Sequence, residues 1–242
     1  MDQLRRGHHA HELEQPAPKH PAKYSATILA ELTLIAEREA EHRGHAISIL
    51  DPFAGVGGIH ALQEHGHLTR GVELEREWAG AHPDTEQGDA TRLRFDPATF
   101  DAVITSPCYG NRMADTYDGR DGSRRMTYRI ALDHDLHPRS SAGLQWGPDY
   151  RRLHALAWTE AARVLVPGGL LVVNVSNHIR ARIEQLVVEW HLRYLLDMGC
   201  RLVEARPVET PRYRHGANHD ARVGAEMLLI VRTPTERQTR LL

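Results

Sequence analysis

The chain has 242 residues, of which 41% are hydrophobic and 26% are charged, and its formal net charge is −2. This length allows one substantial core, and the charge excludes a uniformly basic nucleic-acid binder of the histone kind. No stretch approaches the roughly 20 consecutive apolar residues of a membrane span. The two cysteines, Cys108 and Cys200, form no Cys-x-x-Cys pair, and the 17 histidines are scattered. We therefore expect a cytoplasmic protein with no membrane partner and no metal.

The beginning of the chain differs in composition from the rest. Residues 1–20 mix histidine, proline and charge without periodicity, which predicts a disordered tail. Residues 21–242 are predicted to form one domain. Ser25 is a candidate cap for a helix whose apolar positions, through Ala36, recur every three or four residues.

Short apolar runs then alternate with amphipathic segments along the chain. This rhythm predicts βαβ units, and therefore a mainly parallel sheet with helices on both faces. The last two strands are predicted to pair as a hairpin that adds an antiparallel edge. The predicted strands are Ala46–Leu50, Thr69–Leu74, Glu86–Asp89, Ala102–Thr105, Leu170–Val175, Leu202–Val208 and Glu226–Val231, and the predicted helices are Ile59–Gln63, a short one around Trp78, Tyr150–Leu165 and Ile183–Met198, the last ending at Gly199.

One segment, residues 110–148, interrupts the alternation. It is rich in Gly, Asp, Arg and Tyr and is far longer than an ordinary connection. Loops of this length inside compact domains are usually functional or disordered. The segment is therefore a candidate target-recognition insertion.

The sharpest motif follows the first predicted strand and reads Asp51-Pro52-Phe53-Ala54-Gly55-Val56-Gly57-Gly58. Glycines at the carboxyl end of a first strand let the backbone approach a ligand closely. The dinucleotide fingerprint requires a third glycine where His60 stands, and no Gly-Lys-Ser/Thr ending is present to hold a triphosphate. The motif therefore favours a ligand without a pyrophosphate.

Two carboxylates follow at the ends of the next strands. Glu73 lies about 20 residues past the glycines, where a carboxylate can accept hydrogen bonds from both ribose hydroxyls. Asp89, followed by Ala90, is placed to meet an adenine amino group at the end of the third strand. A nucleoside ligand satisfies the glycine loop and both carboxylates.

The spacing of these three features resembles the first three motifs of class I S-adenosylmethionine-dependent methyltransferases. The form of the glycine motif is similar to that of DNA methyltransferases, and residues 20–24 resemble the segment that helps to hold the methionine end in enzymes methylating exocyclic amines. The resemblance, which runs from about His20 to Val231 without the insertion, implies a Rossmann-like, mainly parallel seven-stranded sheet with an antiparallel C-terminal strand, and S-adenosylmethionine as cofactor. The implied cofactor-binding residues are Lys23, Tyr24, Asp51, Pro52, Phe53, Ala54, Gly55, Gly57, Glu73, Asp89 and Ala90.

A second motif, Thr105-Ser106-Pro107-Cys108-Tyr109-Gly110, ends the fourth strand. It resembles the Asn/Asp/Ser-Pro-Pro-aromatic motif of amino-methyltransferases, in the serine form frequent in cytosine N4 enzymes. The resemblance implies that Ser106 Oγ and the Pro107 carbonyl accept the amine hydrogens and that Tyr109 stacks on a flipped base, with methyl transfer occurring in line. Ser106, Pro107, Cys108 and Tyr109 are the implied catalytic residues, and cytosine N4 is favoured over adenine N6.

Cys108 departs from that pattern, because it stands where the motif has a second proline. Carbon-5 cytosine methyltransferases use a Pro-Cys pair whose thiolate attacks the ring, and this alternative would make Cys108 a nucleophile. That family also requires a glutamate on the next strand, whereas residues 173–177 contain no carboxylate. Amine methylation is therefore the preferred reaction.

The expected macromolecular partner is DNA. An RNA substrate methylated on a guanine amine and a non-catalytic nucleic-acid-binding relative remain alternatives, as do a monomer and a homodimer. Tyr117 and Trp146 are further candidates to stack on bases. The candidate substrate-binding residues are Asn111, Arg112, Arg124, Arg125, Tyr128, Arg129, Arg212 and Arg214, which are suited to phosphate contacts or stacking.

Overall fold

The structure is a computed structural model that describes residues 20, 23–111, 127–180, 182–209 and 224–236. Apart from His20, the predicted tail lies outside the described residues. The same holds for Arg112, Tyr117, Arg124, Arg125, Arg212 and Arg214.

Nine strands and five α-helices are present among the described residues. The strands are β1 Ser48–Asp51, β2 Leu68–Glu73, β3 Thr85–Gln87, β4 Phe100–Thr105, β5 Leu165–Val175, β6 His178–Arg180, β7 Ile183–Gln185, β8 Arg201–Glu209 and β9 Ala225–Arg232. The α-helices are α1 Ala26–Arg43, α2 Arg76–Ala79, α3 Tyr128–Leu132, α4 Pro148–Val164 and α5 Val187–Asp197, and two 3-10 helices cover Gly58–His65 and Ser141–Gly143.

Seven of the strands form one sheet in the order β3-β2-β1-β4-β5-β9-β8. The pairs from β3 through β5 are parallel, whereas β9 runs antiparallel to both β5 and β8. The predicted parallel sheet and the predicted pairing of the last two strands are therefore confirmed. The antiparallel strand is not at the edge, however, because β9 is inserted between β5 and β8.

Alternating residues of the central strands divide the core into two layers. On β4, Val103 packs against the layer that contains Trp158 of α4, whereas Ile104 packs against the layer that contains Leu32 of α1. Strands buried on both faces in this way need helices on both sides, as predicted. Among the described helices, none combines the length and the apolar character needed to cross a bilayer.

Helix α1 begins where its sequence predicts and continues past Ala36 to Arg43. Ser25 Oγ accepts a hydrogen bond from the amide of Ile28, and the helix closes at Gly44 in the left-handed region with φ of 74°. This start places Tyr24 directly beside the end of β1. The Tyr24 hydroxyl donates to Asp51 at 2.9 Å, so that the segment before α1 is fixed to the glycine motif.

The helix predicted over residues 183–198 is wrong in its first turn. Ile183–Gln185 pair with β6 as a short hairpin, and α5 begins only at Val187. The side chain of Asn177 accepts a hydrogen bond from the amide of Val188 at 2.8 Å, which supplies a cap at that point. The apolar Ile183 and Leu186 imitate helical spacing but are exposed. The helix then ends at Gly199, with φ of 87°, as predicted.

Smaller differences concern the other elements. The third strand is Thr85–Gln87, so Asp89 lies two residues beyond it instead of closing it. The segment predicted as a helix over residues 59–63 is a longer 3-10 helix. The described part of the insertion contains α3 and the second 3-10 helix, whose Tyr128 and Ala142 pack on Trp78 of α2.

Candidate active site

The carboxyl ends of the parallel strands open into one cleft of about 800 Å³. Both sequence motifs contribute to its walls, so the tips of β1 and β4 face a common space. Of the predicted cofactor residues, those lining the cleft are Lys23, Tyr24, Pro52, Phe53, Ala54, Gly55, Gly57, Glu73, Asp89 and Ala90. All four predicted catalytic residues, Ser106, Pro107, Cys108 and Tyr109, line it as well.

The glycine loop has the backbone conformation that its sequence predicts. Gly55 and Gly57 adopt φ angles of 54° and 83°, in the left-handed region that favours glycine. A Cβ atom at Gly57 would lie 2.7 Å from Cδ2 of His60. Both the conformation and the close packing therefore require glycine at position 57.

His60 explains why the loop lacks a third glycine. Its ring is buried beneath the loop, where Nδ1 meets the Thr69 hydroxyl at 2.6 Å and Nε2 meets the Thr85 hydroxyl at 2.8 Å. These bonds fix the 3-10 helix to β2 and β3. Burial lowers the pKa of His60 to about 4, so the ring is neutral at neutral pH.

His60 also belongs to a group of possible metal ligands outside the cleft. Atoms of His60, His82 and Asp84 lie within 4.8 Å of one another. Both nitrogens of His60 already meet threonine hydroxyls, its ring stacks on that of His82 at 3.8 Å, and Asp84 is paired with Arg70. These contacts explain the cluster as a structural connection between strands.

Asp51 lies behind the cleft wall, where it is 1% exposed. Its carboxylate accepts hydrogen bonds from the Tyr24 hydroxyl, the Thr105 hydroxyl and the Phe53 amide at 2.6 to 3.0 Å. Burial raises its pKa to about 6 against the effect of these donors. Asp51 therefore joins the segment before α1 to the ends of β1 and β4, and it is the one predicted cofactor residue that does not line the cleft.

Glu73 stands at the end of β2 and holds the glycine loop. One carboxylate oxygen accepts from the Gly55 amide and the other from the Glu75 amide, both at 2.9 Å. Burial raises the pKa of Glu73 to about 7. Each oxygen has a second lone pair, so these bonds leave acceptor capacity toward the cleft.

Asp89 has a partner that the sequence did not reveal. Arg139, from the insertion, forms an ion pair with Asp89 at 2.7 Å, while Thr91 donates to the other carboxylate oxygen. The Arg139 side chain is 65% exposed, whereas that of Asp89 is 17% exposed. The insertion therefore covers the carboxylate that was predicted to meet adenine.

Four polar side chains meet at the end of the cleft next to β4. Ser106 Oγ and the Tyr109 hydroxyl lie 3.1 Å apart, and the Tyr109 hydroxyl donates to Glu226 at 3.0 Å. Asn174 Nδ2 lies 2.6 Å from Glu226 and 3.3 Å from Ser106. The cleft thus holds a carboxylate, Glu226, that sequence reasoning did not find when it examined only residues 173–177.

The thiol of Cys108 faces away from that polar group. It contacts the Tyr128 hydroxyl at 3.7 Å and packs in the cluster formed by Trp78, Tyr128 and Ala142. Burial raises the pKa of Cys108 to about 11. Because only a thiolate attacks a pyrimidine ring, this environment disfavours Cys108 as a nucleophile.

The remaining predicted substrate-binding residues differ in their exposure and in the contacts they already make. Asn111 is exposed and bridges to Gln145 at the cleft margin. Arg129 is paired with Asp135. Tyr128 is 5% exposed and packs against Trp78, which places its ring in the wall of the cleft, and its role in substrate binding stays a prediction. Trp146 packs on Tyr150.

Neither a protein-family model nor a curated protein matches the sequence. Solved structures share the fold at low identity. An S-adenosylmethionine-dependent methyltransferase from Methanosarcina mazei superposes with a TM-score of 0.52 at 13% identity, covering 79% of this chain and 94% of that one. The 1,6-didemethyltoxoflavin-N1-methyltransferase of Burkholderia thailandensis gives 0.51 at 15% identity, covering 85% and 78%.

The chain has the Rossmann-like fold of class I methyltransferases. The seven-stranded sheet with its antiparallel strand agrees with this assignment. The same fold occurs in the [4+2]-cyclase SpnF, with a TM-score of 0.51 at 14% identity over 84% of this chain and 82% of that one. A shared methyltransferase fold therefore leaves the reaction to be argued from the residues of the cleft.

Proposed function

We propose that the protein is an S-adenosylmethionine-dependent methyltransferase acting on the exocyclic amine of a nucleic-acid base, with cytosine N4 in DNA as the favoured target. The observation that carries the proposal is the single cleft shared by the glycine loop after β1 and the Ser106–Tyr109 motif after β4. Both molecules of a transfer reaction can meet there.

The size of the cleft and the hydrogen-bond acceptors in its walls suit the cofactor. About 800 Å³ falls in the usual range for small-molecule sites. The close packing of Gly57 on His60 holds the loop backbone against the cleft, where a bulky nucleoside can approach it. Glu73 offers acceptors for ribose hydroxyls, and Asp89 offers one for an adenine amine after Arg139 moves aside.

The cofactor, when bound, supplies a methyl group on a sulfonium sulfur, which is reactive toward a neutral nitrogen. An exocyclic amine is a weak nucleophile because its lone pair is delocalised into the ring. In this proposal Ser106 Oγ and the Pro107 carbonyl oxygen accept the two amine hydrogens and so direct the lone pair, which is supported by the presence of both residues in the lining of the cleft. The chain's contribution is orientation and exclusion of water, without a covalent intermediate.

Labelled methyl incorporation tests this function. The protein is incubated with S-adenosylmethionine carrying an isotopic methyl group and with DNA or RNA, and the nucleosides are then analysed by mass spectrometry. We expect N4-methylcytosine from DNA, and its loss in Ser106→Ala with unchanged cofactor affinity by calorimetry. Label in RNA guanine would support the RNA alternative, label at carbon 5 would support the thiolate mechanism, and no cofactor binding would indicate a non-catalytic relative.

A free heterocyclic amine is the second candidate substrate. It is favoured by the ion pairs of Arg129 with Asp135 and of Arg139 with Asp89, which neutralise both cations before any phosphate arrives. The toxoflavin-precursor enzyme of the same fold is named for methylation of a ring nitrogen. Label in free cytosine or cytidine, with none in either polymer, would identify this class.

A further inference from the structure

We propose that Glu226 is the terminal proton acceptor of a relay running from Ser106 through Tyr109, and that its carboxylate sets the direction of the hydrogen bonds in that relay. The inference rests on the proposed amine methylation and deepens it. Glu226 acts through Tyr109 and Ser106, so it is a positioning residue for the substrate amine.

The contacts around Glu226 define which of its neighbours donate. Oε2 lies 2.6 Å from Asn174 Nδ2 and 3.0 Å from the Tyr109 hydroxyl, so a single oxygen accepts two hydrogen bonds. Turning the Asn174 amide over would place its oxygen 2.6 Å from a carboxylate oxygen, which two acceptors do not tolerate. Asn174 and Tyr109 are therefore the donors, and the Glu226 oxygen accepts both bonds.

These two donors fix the remaining hydrogen bonds. The Tyr109 hydroxyl has one hydrogen, and it is directed to Glu226. In the 3.1 Å contact between Tyr109 and Ser106, the serine hydroxyl must then be the donor. The second hydrogen of Asn174 Nδ2 is shared between the Tyr109 hydroxyl at 3.2 Å and Ser106 Oγ at 3.3 Å, so it occupies no more than one lone pair of Ser106 Oγ. The other lone pair is the group that Ser106 offers to a substrate, and it suits an amine N–H.

The same bonds provide a path for the proton that the reaction releases. As the N–C bond forms and the C–S bond breaks with its electron pair left on sulfur, the amine nitrogen becomes cationic and must lose one proton. That proton passes to Ser106 Oγ, the serine hydrogen passes to Tyr109 Oη, and the tyrosine hydrogen passes to Glu226. The products are a neutral methylated amine, a neutral thioether and a protonated Glu226, so charge and atoms balance.

The antiparallel strand β9 explains why this carboxylate reaches the cleft. Val173 to Val175 of β5 pair with Leu229 to Met227 of β9, and Glu226 is the next residue toward the start of β9. An antiparallel strand presents its amino end where its parallel neighbours present their carboxyl ends. Glu226 is consequently aligned with Ser106 at the end of β4, and both line the cleft.

Two substitutions at Glu226 test the proton relay and the direction of the hydrogen bonds separately. Glu226→Gln keeps an oxygen that can accept from Tyr109 but cannot take a proton, so binding of an amine base should stay the same while transfer slows. Glu226→Ala frees the tyrosine hydrogen to turn toward Ser106, whose own hydrogen then faces the substrate and favours a carbonyl base. Glu184→Gln is the matched control, because Glu184 accepts from Asn177 at 3.0 Å outside the cleft.

The readouts are binding and single-turnover transfer. Affinities for oligonucleotides carrying cytosine or uracil, and adenine or hypoxanthine, are measured with S-adenosylhomocysteine present. We expect Glu226→Gln to retain the amine preference of the wild type and to lose about 100-fold in transfer rate. We expect Glu226→Ala to lose about tenfold of that preference. Glu184→Gln should match the wild type in both measurements.

The outcomes that overturn the proposal are distinct from failure of the proposed function. A wild type that neither binds S-adenosylmethionine nor methylates any base contradicts the proposed function. If the wild type does both, a loss of less than tenfold in Glu226→Gln overturns the proton relay. An unchanged amine preference in a folded Glu226→Ala protein, as judged by thermal unfolding, overturns the assigned direction of the hydrogen bonds.

Discussion

The hydroxyl of Tyr150 donates a hydrogen bond to the main-chain carbonyl of Cys108 at 2.8 Å, which joins helix α4 to the loop after β4. The hydrogen bond between His191 and the Tyr150 hydroxyl fixes the direction of this bond. The indole N–H of Trp158 can only donate, so Nδ1 of His191 accepts and Nε2, 2.9 Å from Tyr150, carries the hydrogen. Burial lowers the pKa of His191 well below its usual value, which agrees with this neutral form.

Removing the Tyr150 hydroxyl should disturb the position of the loop. We expect Tyr150→Phe to lower kcat several-fold, with unchanged cofactor affinity and a loss of about 1 kcal/mol in the free energy of unfolding. Tyr194→Phe is the control, since its hydroxyl donates to the Ala155 carbonyl away from the cleft. Equal kcat values for the two variants would show that the bond from Tyr150 does not orient the loop.

The role of the glycine loop in cofactor binding can be tested by adding a large side chain at Gly57. Leucine at Gly57 should abolish cofactor binding, because its first carbon already overlaps the anchored His60 ring and the rest would displace the loop. Gly66→Leu is matched, with φ of 84° and no atom within 4 Å of the added carbon. Both variants should lose roughly 1–2 kcal/mol of stability from backbone strain, but only Gly57→Leu should lose cofactor affinity by calorimetry. Full affinity in that variant would remove the loop from the site.

A substitution at Cys108 distinguishes direct amine methylation from thiolate attack on the ring. Cys108→Ala should retain methyl transfer within about threefold, because the thiol is protonated at neutral pH and packs against Tyr128. Cys200→Ala controls for the loss of a buried thiol elsewhere. Abolished transfer in Cys108→Ala with cofactor binding intact would instead support thiolate attack.

Glu73 makes the stability of the protein depend on pH. Its pKa of about 7 lies above the ordinary 4.5, so between these values the native state holds a proton that the unfolded state has released. The contribution of Glu73 is therefore fully present below pH 4.5 and is lost as the pH rises through 7. Chemical denaturation across this range should show a fall that Glu73→Gln flattens.

Glu160 provides a control of opposite sign. Its pKa is lowered, first by its hydrogen bond with Arg163, so its contribution is present above its ordinary pKa and is lost in acid. The stability cost of Glu160→Gln should therefore grow as the pH rises from acid to 7, whereas the cost of Glu73→Gln, which loses one backbone hydrogen bond at any pH, should shrink between pH 4.5 and 7. A cost of Glu73→Gln that grows over this range would contradict the raised pKa.

The ion pair over Asp89 should compete with the cofactor. We expect Arg139→Ala to increase cofactor affinity several-fold, because Asp89 no longer has to release an arginine before it meets adenine. Arg129→Ala, which breaks the pair with Asp135, should leave the affinity unchanged. Calorimetry of both variants measures the effect, and a weakened Arg139→Ala complex would mean that Arg139 itself contacts the cofactor.

The sequence predicted the parallel strands and the two motifs of the cleft walls because both depend on local patterns. The apolar runs of β1, β4 and β5 identify buried strands, and carboxyl ends of parallel strands share one edge. The glycines at 55 and 57 are predictable since their backbone conformation excludes other residues.

Contacts between distant segments were not predictable in the same way. Arg139 meets Asp89 across 50 positions, and the pairing depends on how α3 and the second 3-10 helix pack on Trp78. The first turn of the helix predicted near Ile183 failed because a cap from Asn177 outweighs apolar spacing. Glu226 could have been predicted, however, because the predicted antiparallel pairing already implied which end of the last strand meets the cleft.

Strands β8 and β9 are paired up to Glu209 and Ala225, so the pairing continues to the last residues of both strands. The register that places Glu226 beside the cleft is therefore set by the sheet itself. Substitutions confined to residues 210–223 should accordingly leave Glu226 where it is.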